Sequence, residues 1–509
     1  MSEQDQRPNI VFVLADNVGW GDWSCYGGAT PTPRIDQLAS EGIRFTNYCV
    51  ENECTPTRTA IMTGRQSART GTFTAVPIHG GPTGLSEWEY TIAQLLSEAG
   101  YATSHYGKWH LGEIDSRIPT SKGFDEWWGY RNTADECGYT SYAVFETIQK
   151  EFGAPTPMIW EGKKGEESTA VRPMDLELRA ILDELIVEKA TDYIKAHADD
   201  DKPFFTYVCL SHVHPPERPH PDFNQTDPSR LGYYADLMAE MDYRVGQIVD
   251  CVEQAGISDN TLIVFSSDNA ALDQGMGHAF GGSNGPWRGT FYEPPWEGCY
   301  RTGCMVRWPG KTPSGVVTDE MLTAHDWFKT FAALAGASDK VPTDRPMDGV
   351  DASQFLLGKS ETTGRDSYLF FGPDGKFMSA KWRNFKFVHR YCEGMDKPIL
   401  TPSLPMLFDL GSDPQERFNL MSDRMDNGFI GDAIKGVAAE YMLSVVEYPN
   451  IEPGAVDFKG YHGAKHLLDE EKAKLGKKKI EDTPKAPMGP PAETPAEARG
   501  EKPKTGARN

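Results

Sequence analysis

The sequence predicts an α/β protein: a large, mainly parallel mixed sheet flanked by helices on both faces, followed by a smaller C-terminal antiparallel sheet subdomain. Three observations predict it. Asn9-Ile-Val-Phe-Val-Leu-Ala15 is an unbroken apolar run followed by turn residues, the pattern of a strand buried on both faces of a parallel sheet. Helix-period segments are repeatedly followed by short apolar segments, as a parallel sheet covered on both sides requires. After about Gly358 the texture changes to short alternating stretches, as expected of a small antiparallel sheet.

The elements follow in order. The first strand ends at Asp16. Pro33 to Gly42 reads as a short helix with Ile35, Leu38 and Ala39 inward and Gly42 as its stop. Thr91 to Gly100 repeats the form with Thr91 as N-cap, and a strand from Tyr101 to Tyr106 follows. Between Leu176 and Ala198 the positions Leu182, Ile186, Ala190, Tyr193 and Ile194 keep a helical period before the strand Pro203 to Leu210. Leu237 to Val252, closed by Gly256, marks another long helix, and Thr261 to Ser266 the strand after it. Ligands of such sheets bind beyond the carboxyl ends of the strands, where Asp16, Lys108, His214 and Asp268 fall. Ser367 to Phe371, Lys376 to Ala380 and Asn384 to His389 supply the smaller sheet.

At 509 residues the chain exceeds what one core usually serves. The expected organisation is a main domain over 1–358, a small α+β subdomain over 359–463 and a disordered tail over 464–509, rich in Lys, Pro and Glu. A net charge of −23 opposes binding to nucleic acid and to anionic membrane surfaces. No apolar run approaches the ~18 residues of a membrane span. The polar, acidic start lacks the basic and apolar regions of a secretory signal, and the nine cysteines are scattered without CxxC spacing. A reduced, cytoplasmic setting is the expectation.

The most informative segment is Cys54-Thr-Pro-Thr-Arg-Thr-Ala-Ile-Met-Thr-Gly-Arg65. Pro56 suits a first helical turn, which places Cys54 at a helix N-terminus, where free N–H groups favour an anion, and Arg58 one turn on beside it. Cys-x-Pro-x-Arg followed by Thr-Gly-Arg resembles the signature of the type I sulfatases of the alkaline-phosphatase-like superfamily, and the resemblance extends along roughly the first 420 residues. In that family the cysteine is oxidised to formylglycine by a formylglycine-generating enzyme. The hydrated aldehyde offers one oxygen to attack sulfur and a second to expel the sulfate afterwards, which a plain thiol could not do.

The resemblance implies the remaining roles. Asp16 and Asn17 after the first strand, and Asp268 and Asn269 after a later one, occupy the places of the family's metal-binding residues, with residue 54 completing the set. Such oxygen ligands suit calcium better than magnesium or manganese. Many members carry Asp where Asn17 stands, so one negative charge is missing. Lys108-Trp109-His110 matches the family's Lys-x-His element: the lysine binds a sulfate oxygen, and the histidine holds the diol and acts as base. In Ser211-His-Val-His214-Pro-Pro216, His214 takes the leaving-group or sulfate contact and His212 is a second candidate for substrate binding. The family's further sulfate-binding lysine is absent from Gly285 to Gly298. Arg288-Gly289 stands in its place, and a guanidinium there could neutralise a sulfate oxygen without donating a proton to the leaving alkoxide.

Trp20, Trp23, Trp127, Trp128, Tyr130, Trp287 and Trp296 would wall an aromatic cleft, while packing in the core or at its rim is the commoner role of a tryptophan. The reading is thus a hydrolase of sulfate esters of small molecules or glycans. Two alternatives stay open: phosphate or phosphonate ester hydrolysis on the same scaffold, and anion binding without catalysis by a chain whose Cys54 is never oxidised.

Overall fold

A computed structural model describes residues 7–225, 232–272 and 282–456. The expected tail over 464–509 lies outside the described residues. The main sheet has eleven strands: β1 Asn9–Ala15, β2 Ile43–Cys49, β3 Ala102–Lys108, β4 Glu126–Tyr130, β5 Met158–Lys163, β6 Thr169–Pro173, β7 Phe204–Cys209, β8 Thr261–Ser267, β9 Arg301–Arg307, β10 Val316–Thr318 and β11 Leu322–Thr323. They run in the order β10-β2-β9-β8-β1-β7-β3-β4-β5-β6, with β11 also paired to β2. The centre, β8-β1-β7-β3-β4, is parallel throughout. Antiparallel β9 joins β2 to β8, and antiparallel β5 and β6 close the other edge.

β1 shows why the run from Asn9 to Ala15 carries no polar alternation. Val11, Val13 and Ala15 pack into one core, against the Leu176–His197 and Tyr233–Gln254 helices. Ile10, Phe12 and Leu14 pack into the other, where Phe12 meets Tyr207 and Trp327 edge-on. Apolar layers on both faces remove the selection for polar residues that produces alternation. Local signals set the helix ends. Thr91 and Gln94 form a reciprocal capping box at the start of the Ile92–Glu98 helix, and Gly64 ends the Cys54–Thr63 helix in the left-handed region at φ 66°.

The second sheet, β12 Ser367–Phe371, β13 Phe377–Trp382, β14 Phe385–Val388 and β15 Met406–Asp409, is antiparallel in that order. One face packs on the Ile430–Glu447 helix. The other delivers Lys381 and Lys386, both fully buried, to Glu297 of the main domain at 2.9 and 3.2 Å, with Arg301 on the same carboxylate at 2.6 Å. This network joins the two sheets. All nine cysteines are free. Among the described residues, no helix is long and apolar enough to cross a membrane.

Candidate active site

Every strand that contributes to the site does so at its carboxyl end. β1 releases Asp16 and Asn17, β3 ends on Lys108 with His110 just beyond, β7 leads to Ser211–His214, and β8 releases Asp268 and Asn269. Cys54 enters from β2 as the first residue of the Cys54–Thr63 helix, and the whole helix is buried.

The centre is a quartet of fully buried charges. The Arg58 guanidinium donates from Nε and Nη2 to Asp268 Oδ2 at 3.0 and 2.8 Å, and from Nη1 to the Lys108 carbonyl at 2.8 Å. Lys108 Nζ donates to Asp16 Oδ2 at 2.7 Å, and Arg58 Nη2 lies 3.8 Å from the same oxygen. Cys54 Sγ is 3.8 Å from Asp16 Oδ1. Burial, and then the Asp268 charge, push the Cys54 thiol well above its usual range despite Lys108 and Arg58. The encoded thiol therefore stays protonated. Burial is the largest influence on the Lys108 ammonium and would lower its pKa, but Asp16, Cys54 and Asp268 together outweigh it and the pKa is raised.

Both histidines are neutral, and their tautomers follow from their partners. His110 Nε2 lies 3.4 Å from the Val76 carbonyl, an acceptor, which leaves its buried Nδ1 with a lone pair and no partner. Burial, then Lys108 and Arg58, hold its pKa well below the usual value. His214 Nδ1 donates to the Pro215 carbonyl at 2.9 Å, so Nε2 accepts from Thr133 Oγ1 at 3.1 Å. Burial depresses His214 to about 4, with Asp135 opposing and Lys108 adding to the effect.

Asp16, Asp268 and Asn269 offer oxygen donors of the kind a hard cation prefers. Asn269 Oδ1 is a buried acceptor with no hydrogen-bond partner. The amide of Asn269 donates to Asn17 Oδ1, whose second lone pair stays available to a cation. One ligand atom each from Asp16, Cys54 and His214 also lies within 4.8 Å of the other two. Above this floor opens a cavity of about 330 Å³, lined by Asn17, Cys54, His110 and His214 and by residues of six loops.

A sulfatase family model matches residues 8–337. The chain is 33% identical over 450 residues to N-acetylgalactosamine-6-sulfatase of Canis lupus familiaris, covering 82% of each. It is 32% identical over 450 residues to arylsulfatase G of Rattus norvegicus, covering 81% of this chain and 82% of that one. The crystal structure of a sulfatase from Pseudoalteromonas sp. matches with a TM-score of 0.81 at 26% identity, covering 89% of this chain and 93% of that one. The chain belongs to the sulfatase family.

This sulfatase is a sulfuric ester hydrolase, of a family that generally depends on a divalent metal. The structure brings together Cys54, Arg58, Lys108, His110, His214, Asp16, Asn17, Asp268 and Asn269. It does not bring in His212 or Arg288. His212 points away from the cavity into a buried cluster, with Nδ1 3.2 Å from Asp183 and Nε2 2.9 Å from Glu240. The reason is local: Ser211 to His214 closes a turn, His214 N–H to Ser211 C=O at 3.0 Å, and directs the two imidazoles differently. Arg288 lies flat on Trp296, 3.5 Å from the ring centroid, donates to the Glu416 carbonyl at 3.0 Å and faces Glu393 at 3.5 Å. It therefore serves the joint between the two sheets. Phe291 and Tyr292 of the same loop reach the cavity instead.

The expected wall of tryptophans is also corrected. None of Trp20, Trp23, Trp127, Trp128, Tyr130, Trp287 and Trp296 lines the cavity. Trp23 is core, edge-on to Phe265, and Trp287 lies under Arg301. Val76, Asn132, Thr133, Asp135, Leu272 and Met395 were missed, because loop residues carry no periodic signal. Asn132 to Asp135 could have been found by the rule that located Asp16, since they follow the carboxyl end of β4.

Proposed function

We propose that this sulfatase hydrolyses its sulfate ester with a formylglycine made from Cys54 and a calcium ion held by Asp16, Asp268, Asn269 and Asn17, after maturation by a formylglycine-generating enzyme. The observation that carries the reading is the position of Cys54. It sits at the N-terminal end of a buried helix, on the floor of the cavity, within reach of two carboxylates, two cations and two neutral imidazoles.

The hydrated aldehyde at residue 54 would supply the attacking oxygen and the hydroxyl from which sulfate is later expelled. The cation would supply Lewis acidity toward a sulfate oxygen. Lys108 offsets negative charge on the sulfate, and Arg58 fixes Asp268 and the end of β3 so that the site needs no rearrangement on binding. His110, with an unprotonated Nδ1, is suited to accept the proton from residue 54 when sulfate leaves. His214 faces the alcohol side; neutral as it stands, it would have to take up a proton, which Asp135 at 3.9 Å favours, before donating to the departing oxygen.

Peptide mass spectrometry of protein made together with the maturing enzyme tests this reading. The peptide spanning residue 54 should be lighter than encoded, and turnover of an aryl sulfate should rise with the modified fraction. Full turnover with an intact thiol, or complete conversion without turnover, would overturn it.

A further inference from the structure

We infer that the pocket selects a sulfate ester whose alcohol half is a single ring, neutral or amine-bearing, and rejects a ring that carries a second anionic group. This inference rests on the hydrolase reading above. Size is the first argument. About 330 Å³ lies at the lower end of ligand pockets, which run from about 300 to 1,000 Å³, and the floor reserves part of it for the sulfate. Within the walls formed by the described residues, the rest has room for about one ring.

The chemistry of the wall is the second argument. It is largely apolar, with Val76, Ile78, Leu272, Phe291 and Met395, and its polar groups above the floor are acceptors or have their hydrogens committed. Asn132 Nδ2 donates to Glu113 Oε1 at 2.9 Å, which fixes the amide and leaves Oδ1 a buried acceptor with no partner. Thr133 gives its hydroxyl hydrogen to His214. The Tyr292 hydroxyl is bonded to Glu53. Asp135 adds a carboxylate to the wall. Glu113 lies close behind, on the Asn132 amide, whereas burial, and then the charges of Glu113 and Asp135, raise the Glu136 carboxyl to about 8 and leave it uncharged near neutrality.

Among the described residues, no lysine or arginine lines the cavity. Arg131, beside Asn132, donates to the Glu113 carbonyl at 2.6 Å, faces Asp115 at 3.4 Å and stacks on Trp160. An unpaired acceptor beside carboxylates is matched by a hydroxyl or ammonium donor. A carboxylate or second sulfate on the ring would be desolvated against like charge with nothing to pair it.

Three phenyl sulfates of equal size, bearing 4-hydroxymethyl, 4-aminomethyl or 4-carboxymethyl groups, test this with the matured enzyme. The expected order in kcat/KM is aminomethyl at or above hydroxymethyl, and carboxymethyl at least tenfold lower. Asp135→Asn should shrink the carboxymethyl penalty at least threefold. Equal rates for the hydroxymethyl and carboxymethyl esters, or a penalty unchanged in Asp135→Asn, would overturn the inference. The corresponding sulfamates, measured by calorimetry, read the same order without turnover. Ordered binding without hydrolysis would sink the hydrolase reading alone, and unordered binding would sink the selectivity.

Discussion

Arg58→Met removes the guanidinium from the charge quartet at nearly constant volume and leaves Asp16 and Asp268 facing Lys108 alone. Three hydrogen bonds go with it, two to Asp268 Oδ2 and one to the Lys108 carbonyl, all fully buried. Breaking a buried ion pair from one side costs about 3–5 kcal/mol, because the remaining charge is left desolvated and unpaired. That is a large share of the roughly 5–15 kcal/mol by which folded domains are stable. Asp268→Asn should cost a comparable amount, since Arg58 then faces only Asp16 at 3.8 Å. The double variant Arg58→Met, Asp268→Asn carries neither orphan, and its destabilisation should fall at least ~2 kcal/mol short of the two single losses added together. Urea unfolding followed by tryptophan fluorescence, in chelator so that no cation substitutes for the guanidinium, measures all three. Both single variants should also lose at least a hundredfold in aryl sulfatase activity, and the double variant should not regain it. An Arg58→Met protein within about 1 kcal/mol of the parent, or single losses that simply add, would refute the reasoning.

Other substitutions probe separate parts of the argument. Glu136 keeps its proton in the folded state up to about pH 8, whereas the unfolded chain releases it near 4.5. Stability therefore declines as pH rises through that window and levels off above it. Glu136→Gln should remove the decline, a relative gain on the order of 4 kcal/mol at pH 9 and little at pH 4, and an unchanged pH slope in urea titrations would count against it. Arg288→Ala should lower stability by about 1–2 kcal/mol through loss of the Trp296 stack and the Glu416 bond, with kcat/KM within twofold of the parent. A tenfold activity loss at unchanged stability would return Arg288 to substrate contact. For calcium, the factor by which an aryl sulfamate tightens its binding should equal the factor by which calcium tightens the sulfamate. Calorimetry in both orders tests this, and independent affinities would remove the cation from the substrate site.

The fold was legible where local chemistry and tertiary context agree. The run from Asn9 to Ala15, bounded by turn residues, reads as a strand buried on both faces, and Thr91 as N-cap marks a helix start that the structure reproduces. β4 to β6 and β9 were not read, because their pairing partners are distant in sequence and their hydrophobic pattern is short. β15 and the Ile430–Glu447 helix were missed for a related reason: each is defined by the small subdomain it completes. In the site, residues bound to strand ends and to the Cys54 motif were readable, because backbone geometry dictates where they go. Arg288 and His212 were misplaced because a motif position gives the backbone address and not the direction of a long or turn-borne side chain. Trp296 draws Arg288 away through a contact between loops that no spacing rule encodes.

The balance of charge explains why the site tolerates its burial and still receives an anion. Asp16 and Asp268 are offset by Lys108 and Arg58, so the quartet is neutral and each member is hydrogen-bonded. A neutral quartet exerts little pull on a sulfate ester approaching a chain of net charge −23. A divalent cation held by Asp16, Asp268, Asn269 and Asn17 would make the floor locally +2 and would supply the attraction that the surface opposes. The same surface draws cations toward the site, so acidity that repels the substrate favours the ion that captures it. The His212 side chain stays outside the quartet, yet its residue holds the arrangement through the backbone. Clamped between Asp183 and Glu240, it fixes the turn whose backbone accepts from Asp16 N–H at 2.9 Å and donates back to the Asp16 carbonyl at 2.6 Å. The loop that presents His214 and the strand end that presents Asp16 therefore move as one body, and the distance between leaving-group side and charge quartet is set before substrate arrives.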